Sequence, residues 1–246
     1  MWPKETINAG ILIIGNEILS GQVQDVNLSF MATHLQEMGI RLKEARVVAD
    51  VEDGIVTAVR ALSSQMDYVF TTGGIGPTHD DITAACMAKA FDRPLVCSLE
   101  ALRRLYERYP SPRAPEALTR MTVMPAGATL IDNTVSAAPG FQIENVYVMA
   151  GIPAIMQAMF KNLMPTLRKG PRLHSREVVG AVVEGVIAQG LEDLDKAYPH
   201  VEIGSYPYWI SETNHGVRIV IKGTNENEVT RVENAVTDLM DRYRAL

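Results

Sequence analysis

Apolar residues along this chain follow two periods. Unbroken apolar runs at residues 9–14 and 68–72 predict strands covered on both faces. Between and after them the spacing turns helical. Leu28, Met31, Leu35 and Met38 form one such face, with Asn27 as the expected cap and Gly39 as the stop. Ile55, Ala58, Val59 and Leu62 form a second face behind Asp50 and Asp53. Ile82, Ala85, Cys86 and Ala90 form a third, on a helix expected to open at Asp80. Residues 40–48 are mixed in character and read as a strand nearer the sheet edge. Three strand–helix repeats in succession predict an α/β fold: a doubly wound, mostly parallel sheet with right-handed crossovers.

Further on, Ser98 caps a predicted helix carrying Leu99, Leu102, Leu105 and Tyr109, which the proline-rich stretch 110–115 ends. A short helix over 116–121 completes an insertion that reads equally as a lid or an oligomer contact. Residues 129–131 predict a short strand, and 141–144 with 145–150 a strand pair. A helix after Gly151-Ile152-Pro153 follows, with Ile155, Met159, Leu163 and Leu167 on one side. Lys169-Gly170-Pro171 marks the expected boundary between an α/β domain over 1–170 and a small α+β domain over 171–246. In the latter, strands are expected at 176–185, 202–209 and 216–222, and helices at 187–198 and 225–243.

Composition narrows the function. A net charge of −6 argues against nucleic acid as a partner, because such binding usually shows as a basic patch, so an anionic ligand needs local help from backbone amides or a cation. No apolar run reaches the length of a membrane span, and Met1-Trp2-Pro3-Lys4 leads into polar residues, so a cytoplasmic protein is expected. Cys86 and Cys97 are expected to be reduced core residues.

The richest chemistry follows the strand at 68–72, in Thr71-Thr72-Gly73-Gly74-Ile75-Gly76-Pro77-Thr78-His79-Asp80-Asp81-Ile82-Thr83. Gly73, Gly74 and Gly76 permit positive φ and close approach of a ligand to backbone N–H groups. A helix opening behind them, with Thr78 poised as cap, offers unpaired N–H groups and a positive dipole end, which suit a phosphate. Asp80 and Asp81 complicate this picture. Either they hold a divalent cation between themselves and the phosphate, or Thr78-x-x-Asp81 is a capping box. The spacing fits neither the phosphate loop of nucleotide hydrolases nor the dinucleotide fingerprint. Residues 132–141 are small and polar enough to close over a ligand, and equally to be an ordinary surface loop. Gly151-Ile152-Pro153 is a second candidate anion seat.

This segment closely resembles the signature of the MoaB/Mog molybdopterin-binding domain, and within that superfamily the amino-terminal region of the competence/damage-inducible CinA family. Gly15-Asn16-Glu17-Ile18-Leu19-Ser20-Gly21 with Asn27 resembles that family's opening motif, and Ala138-Pro139-Gly140-Phe141 its loop before the late hairpin. Ser205-Tyr206-Pro207 resembles its small KH-type second domain. Where the family commonly has proline, this chain has Ala150. The nicotinamide-nucleotide deamidase domain that many relatives carry has no counterpart here, and its activity is not expected.

The resemblance implies a phosphorylated pterin or nucleotide as ligand, with molybdopterin itself a candidate, and a divalent metal (Mg, Mn or Co) for cleavage of a pyrophosphate bond of the ADP-ribose or FAD kind. Asp80 and Asp81 would hold the metal, with Glu17 as base or outer ligand; these three are the catalytic candidates. Gly73, Gly74, Gly76, Thr78, Thr83, Asn133, Ser136, Pro139, Gly140 and Gly151 would bind the ligand, Asn133 and Ser136 orienting its ribose or pterin edge. His79 is a weaker candidate for proton donor to the leaving group. Without turnover, the same seat would serve a binding module of molybdenum cofactor metabolism. Family habit and exposed apolar residues of the insertion point to a dimer or trimer.

Overall fold

The computed structural model describes residues 6–110, 115–211 and 214–244. The opening at 1–4 and the centre of the proline-rich break at 111–114 lie outside them. The chain divides into two compact units, one comprising Ile7–Gln36 and Ile40–Lys169, the other built chiefly from the chain after Gly170.

The first unit runs β1 (Ile7–Ile14), a one-turn helix α1 (Asn16–Leu19), α2 (Asn27–Glu37), β2 (Ile40–Val48), α3 (Glu52–Ser63), β3 (Tyr68–Thr72) and α4 (Thr83–Ala90). It continues with β4 (Leu95–Cys97), α5 (Leu99–Arg108), α6 (Pro115–Arg120), β5 (Val123–Pro125), β6 (Thr129–Ile131), β7 (Gly140–Ile143), β8 (Val146–Met149) and α7 (Pro153–Leu163). Six strands form one sheet in the order β2-β1-β3-β8-β7-β6, parallel from β2 to β8 and antiparallel over β7 and β6. This is the mostly parallel α/β sheet that the apolar pattern predicts, with β2 at its edge.

Strand alternation explains why helices cover both faces. Val69 joins Leu12 and Ile14 against Ile55, Val59 and Leu62 of α3 and Cys86 of α4. Its neighbour Phe70 points the other way, stacked on Tyr147 at 5.3 Å and edge-on to Phe160 of α7 at 5.2 Å. Phe160 in turn meets Phe30 of α2 at 6.2 Å. The carboxyl ends of β1, β3 and β8 therefore share one edge, where open α/β sheets bind ligands.

Several sequence expectations are corrected. α4 starts at Thr83, not Asp80, because the intervening backbone is held in a turn by side-chain acceptors described below. Asn27 is not the cap of α2: the Asp25 carboxylate accepts the Leu28 N–H at 2.8 Å, while buried Asn27 donates to the Gly151 carbonyl at 2.8 Å. Asp50 does not cap α3 but accepts the N–H of Asn16 at 2.9 Å. Ser98 does cap α5, yet Leu99 is 78% exposed and leaves the inward face to Ala101 and Leu105. α7 turns Met156, Met159, Phe160 and Leu163 inward, which frees Ile155. The β4–β5 ribbon was not foreseen, and it places Cys97 in the open rather than in the core. Cys86 is buried and free, and burial, with a smaller contribution from Glu52, pushes its thiol up to about 11.

The second unit contains β9 (His174–Gly180), α8 (Glu184–Ala197), β10 (Val201–Ser211), β11 (Asn214–Gly223) and α9 (Glu226–Arg244). Its antiparallel sheet has the order β10-β11-β9. Val217, Ile219 and Ile221 alternate inward onto Ile187 of α8 and Val229, Val232 and Val236 of α9. Among the described residues no helix is long and apolar enough to cross a membrane.

Phe70 is fully buried and joins β3, β8 and α7. Phe70→Ala is therefore expected to lower stability by about 3–5 kcal/mol, read as a shift in the urea midpoint with little change in slope. A loss within ~1 kcal/mol would contradict its placement as the link between the faces.

Candidate functional site

The turns after β1, β3 and β8 lie backbone against backbone. Gly73 has φ +104°, and a β-carbon there would stand 2.0 Å from the Ile14 carbonyl oxygen. Gly74 has φ +66°, and its β-carbon would meet Thr83 Oγ1 at 2.2 Å, while at Gly151 it would lie 3.4 Å from Gly73 Cα. L-residues rarely adopt the φ values of Gly73 and Gly74, and no side chain fits their contacts. The Gly73 N–H donates to the Met149 carbonyl at 3.1 Å and the Gly15 N–H to the Val48 carbonyl at 3.1 Å, so the ladder continues into the turns.

A cleft of about 640 Å³ opens above these turns. That volume falls in the range of roughly 300–1,000 Å³ typical of small-molecule sites. Glu17, Gly73, Gly74, Gly76 and Asp81 line one side, Asn133, Ser136 and Pro139 another, and Gly151, Ile152 and Pro153 the entrance to α7. Most of the predicted site residues are thus brought together. Thr78, Thr83, Asp80 and Gly140 are not part of the lining.

Asp81 organises the glycine turn. Its Oδ1 accepts the Gly76 N–H at 2.7 Å, and its Oδ2 accepts the Thr78 N–H at 2.7 Å and the Thr78 hydroxyl at 2.5 Å. The N–H groups predicted to hold a phosphate are here held by this chain's own carboxylate. Thr78 Oγ1 also lies 2.6 Å from Asp80 Oδ1; its one proton serves a single acid at a time. The α4 entrance is likewise satisfied internally, with Ile82 N–H on the Asp80 carbonyl and Thr83 N–H on Gly74.

The remaining residues support the cleft. Thr83 is buried and its hydroxyl donates to the Gly73 carbonyl at 2.9 Å, which locks the turn. Gly140 sits within β7, where a β-carbon would meet the Val148 carbonyl at 2.3 Å. Asn133 uses its amide completely: Nδ2 donates to Ser136 Oγ at 2.7 Å and the Ala138 carbonyl at 2.9 Å, and Oδ1 accepts from Val135 and Ser136 N–H. It shapes the loop and leaves the Ser136 hydroxyl proton free to donate. Sequence reasoning missed Tyr109, Leu118 and Met121 of the insertion, together with Val23 and Ile155. Ile155 was hidden because its spacing to Met159 and Leu163 put it on the expected inward stripe; the others carried no signal.

Metal fit turns on the acids. Among the described residues no three His, Cys, Asp or Glu side chains cluster as a ready cage. Asp80 and Asp81 supply two neighbouring carboxylates, and hydrogen bonding from Thr78, followed by its own backbone, holds the Asp80 carboxyl below the usual range. An ionised pair of this kind fits a hard cation that takes its other ligands from phosphate oxygens and water, as Mg²⁺ does.

Asp80 is ionised more easily folded than unfolded, so its contribution to stability is present above the unfolded value near 4 and is lost as pH falls through the lower folded value. In Thr78→Val the Asp80 midpoint, followed by NMR of the side-chain carboxyl, is expected to rise towards that ordinary value. An unchanged midpoint would show that Thr78 is not the cause.

Residues 10–169 match the model of the family described as "probable molybdopterin binding domain", and residues 172–245 match the "FAD synthase, middle domain". A protein of Archaeoglobus fulgidus is 38% identical over 197 residues, spanning 80% of this chain and 84% of its own. One from Pyrococcus abyssi is 31% identical over 241 residues, spanning 92% and 94%. The crystal structure of the protein CinA, with unknown function, from Thermoplasma acidophilum agrees at a TM-score of 0.61 and 31% identity, over 65% of this chain and 98% of that one. The chain belongs to the molybdopterin-binding domain family of MoaB/Mog type, resembles CinA, and carries a FAD synthase middle domain after it.

Proposed function

We propose that the cleft binds a phosphorylated pterin or nucleotide and, with a divalent cation such as Mg, Mn or Co, hydrolyses a pyrophosphate bond of the ADP-ribose or FAD kind. The observation that carries this reading is the convergence of three strand-end turns, with Asp81 among the lining residues, on one cleft of about 640 Å³.

The cleft has two chemical ends. Ile75, Pro139, Ile152 and Ile155 offer an apolar wall for a heterocycle, with Tyr109 and Met121 nearby. The entrance to α7, an eleven-residue helix with Pro153 in its first turn, offers a positive dipole end to phosphate oxygens. Held by Asp80 and Asp81, the cation supplies charge neutralisation of the phosphates and a water of lowered pKa. Asp81, fixed by Gly76 and Thr78, keeps a constant orientation towards that end of the cleft. Glu17 lines the same cleft, and its carboxylate would take a proton from the attacking water.

One observation favours a second reading, binding without turnover: Asp80 stands outside the cleft and both Asp81 oxygens already serve the turn. The two readings part in one assay. Purified protein is incubated with ADP-ribose, FAD and NADH and each metal, and AMP release is followed. Hydrolysis is expected only with metal, and Asp80→Asn, which keeps an acceptor for Thr78, is expected to lower kcat by on the order of a hundredfold or more. Saturable pterin or nucleotide binding without AMP in any metal would leave the binding module standing and remove the hydrolase.

A further inference from the structure

A second pocket of about 400 Å³ adjoins the cleft through Gly76 and Asp81, which line both. Thr78 and His79 face it from the glycine turn, and Arg120 faces it from α6. No lysine or arginine lines the main cleft, whose ionisable side chains are Glu17, Asp81 and Tyr109. Arg120 is thus the full positive charge that borders this pair of pockets.

Arg120 also differs from other arginines of its insertion. Arg103 is bound to Glu100 and Glu107, and Arg104 to Glu100 and Asp132. The Arg120 side chain makes no hydrogen bond or ion pair among the described residues, and the residue is exposed. Its backbone is nonetheless fixed. Thr119 Oγ1 donates to the Pro115 carbonyl at 3.0 Å, and both the N–H and the hydroxyl of Thr122 close on the Thr119 carbonyl, at 3.0 and 2.7 Å. A planar donor fork on a fixed helix end, without a partner of its own, suits bidentate capture of phosphate oxygens.

Geometry then separates ligand classes. A monophosphate held by the glycine turn or the α7 entrance has no need of the adjoining pocket. A diphosphate carries a second anionic group past Asp81, whose carboxylate repels it, and the Arg120 guanidinium of the adjoining pocket offsets that repulsion. We propose that Arg120 is a specificity-determining residue that takes the second phosphate, so that the site selects nucleoside diphosphates and their esters over monophosphates. This rests on reading the cleft as a phosphate site.

The test is calorimetric titration of the whole chain with ADP and with AMP in the presence of Mg²⁺, for the wild type, Arg120→Ala and Arg120→Lys. The wild type is expected to bind ADP more tightly than AMP. Arg120→Ala should weaken ADP by about tenfold to a hundredfold, the range for hydrogen bonds to charged groups, and AMP by less than about twofold. Arg120→Lys should recover part of the ADP affinity. Equal losses for both ligands, or undiminished ADP binding by Arg120→Ala, would overturn the assignment while leaving the cleft as a nucleotide site. Failure of the wild type to bind either nucleotide would overturn the nucleotide reading of the cleft and this proposal with it.

Discussion

Three strand ends meet in this protein with no side chain between them, and the cleft exists because of that contact. The Gly73 backbone passes so close to the Ile14 carbonyl that a β-carbon would stand at 2.0 Å, and Gly151 lies directly against Gly73. A methyl group at Gly73 would drive the turn after β3 away from the end of β1, and the sheet edge would lose the concavity they frame. Hydrogen bonds reinforce the contact: Gly73 N–H reaches the Met149 carbonyl, and Asn27 reaches across from α2 to the Gly151 carbonyl. The parallel sheet supplies the positions, and backbone crowding supplies the shape.

The same crowding explains what the sequence could and could not disclose. The parallel character of the sheet and most element positions were legible because apolar period is a local signal: 68–72 reads as a buried strand, and it is β3. The glycines were legible as a close-approach turn for the same reason. Caps were less so. Asn27 and Asp50 read as helix openers in sequence, but the α2 cap is Asp25, while Asp50 accepts the Asn16 N–H after β1 and Asn27 donates to the turn after β8. Long-range geometry decided those assignments, and periodicity holds no record of it. The β4–β5 ribbon escaped because each strand is only three residues long, too short to show alternation.

Asp81 has a double character that sequence alone presents as a choice. As an internal anion it gathers two N–H groups and a hydroxyl, the donors that a glycine turn would otherwise offer to a phosphate. As a member of the cleft lining it presents negative charge to whatever enters. Capping and ligand contact are therefore not alternatives here, because a carboxylate has more acceptor sites than these donors fill. One consequence is mechanical: a turn already satisfied by its own acid is preorganised, and a ligand need not meet the cost of ordering it.

The insertion between α4 and β6 completes the argument, because it gives the cleft a wall that the parallel sheet cannot. Tyr109, Leu118 and Met121 come from this segment, and the Tyr109 hydroxyl donates to the Ser136 carbonyl at 3.3 Å, which ties the insertion to the loop that Asn133 shapes. Strand-end turns rich in glycine carry little side-chain surface, so the apolar and aromatic part of the cleft wall must arrive from elsewhere in the chain. The insertion brings it from beyond the sheet, as loop-bounded segments on a rigid scaffold commonly do.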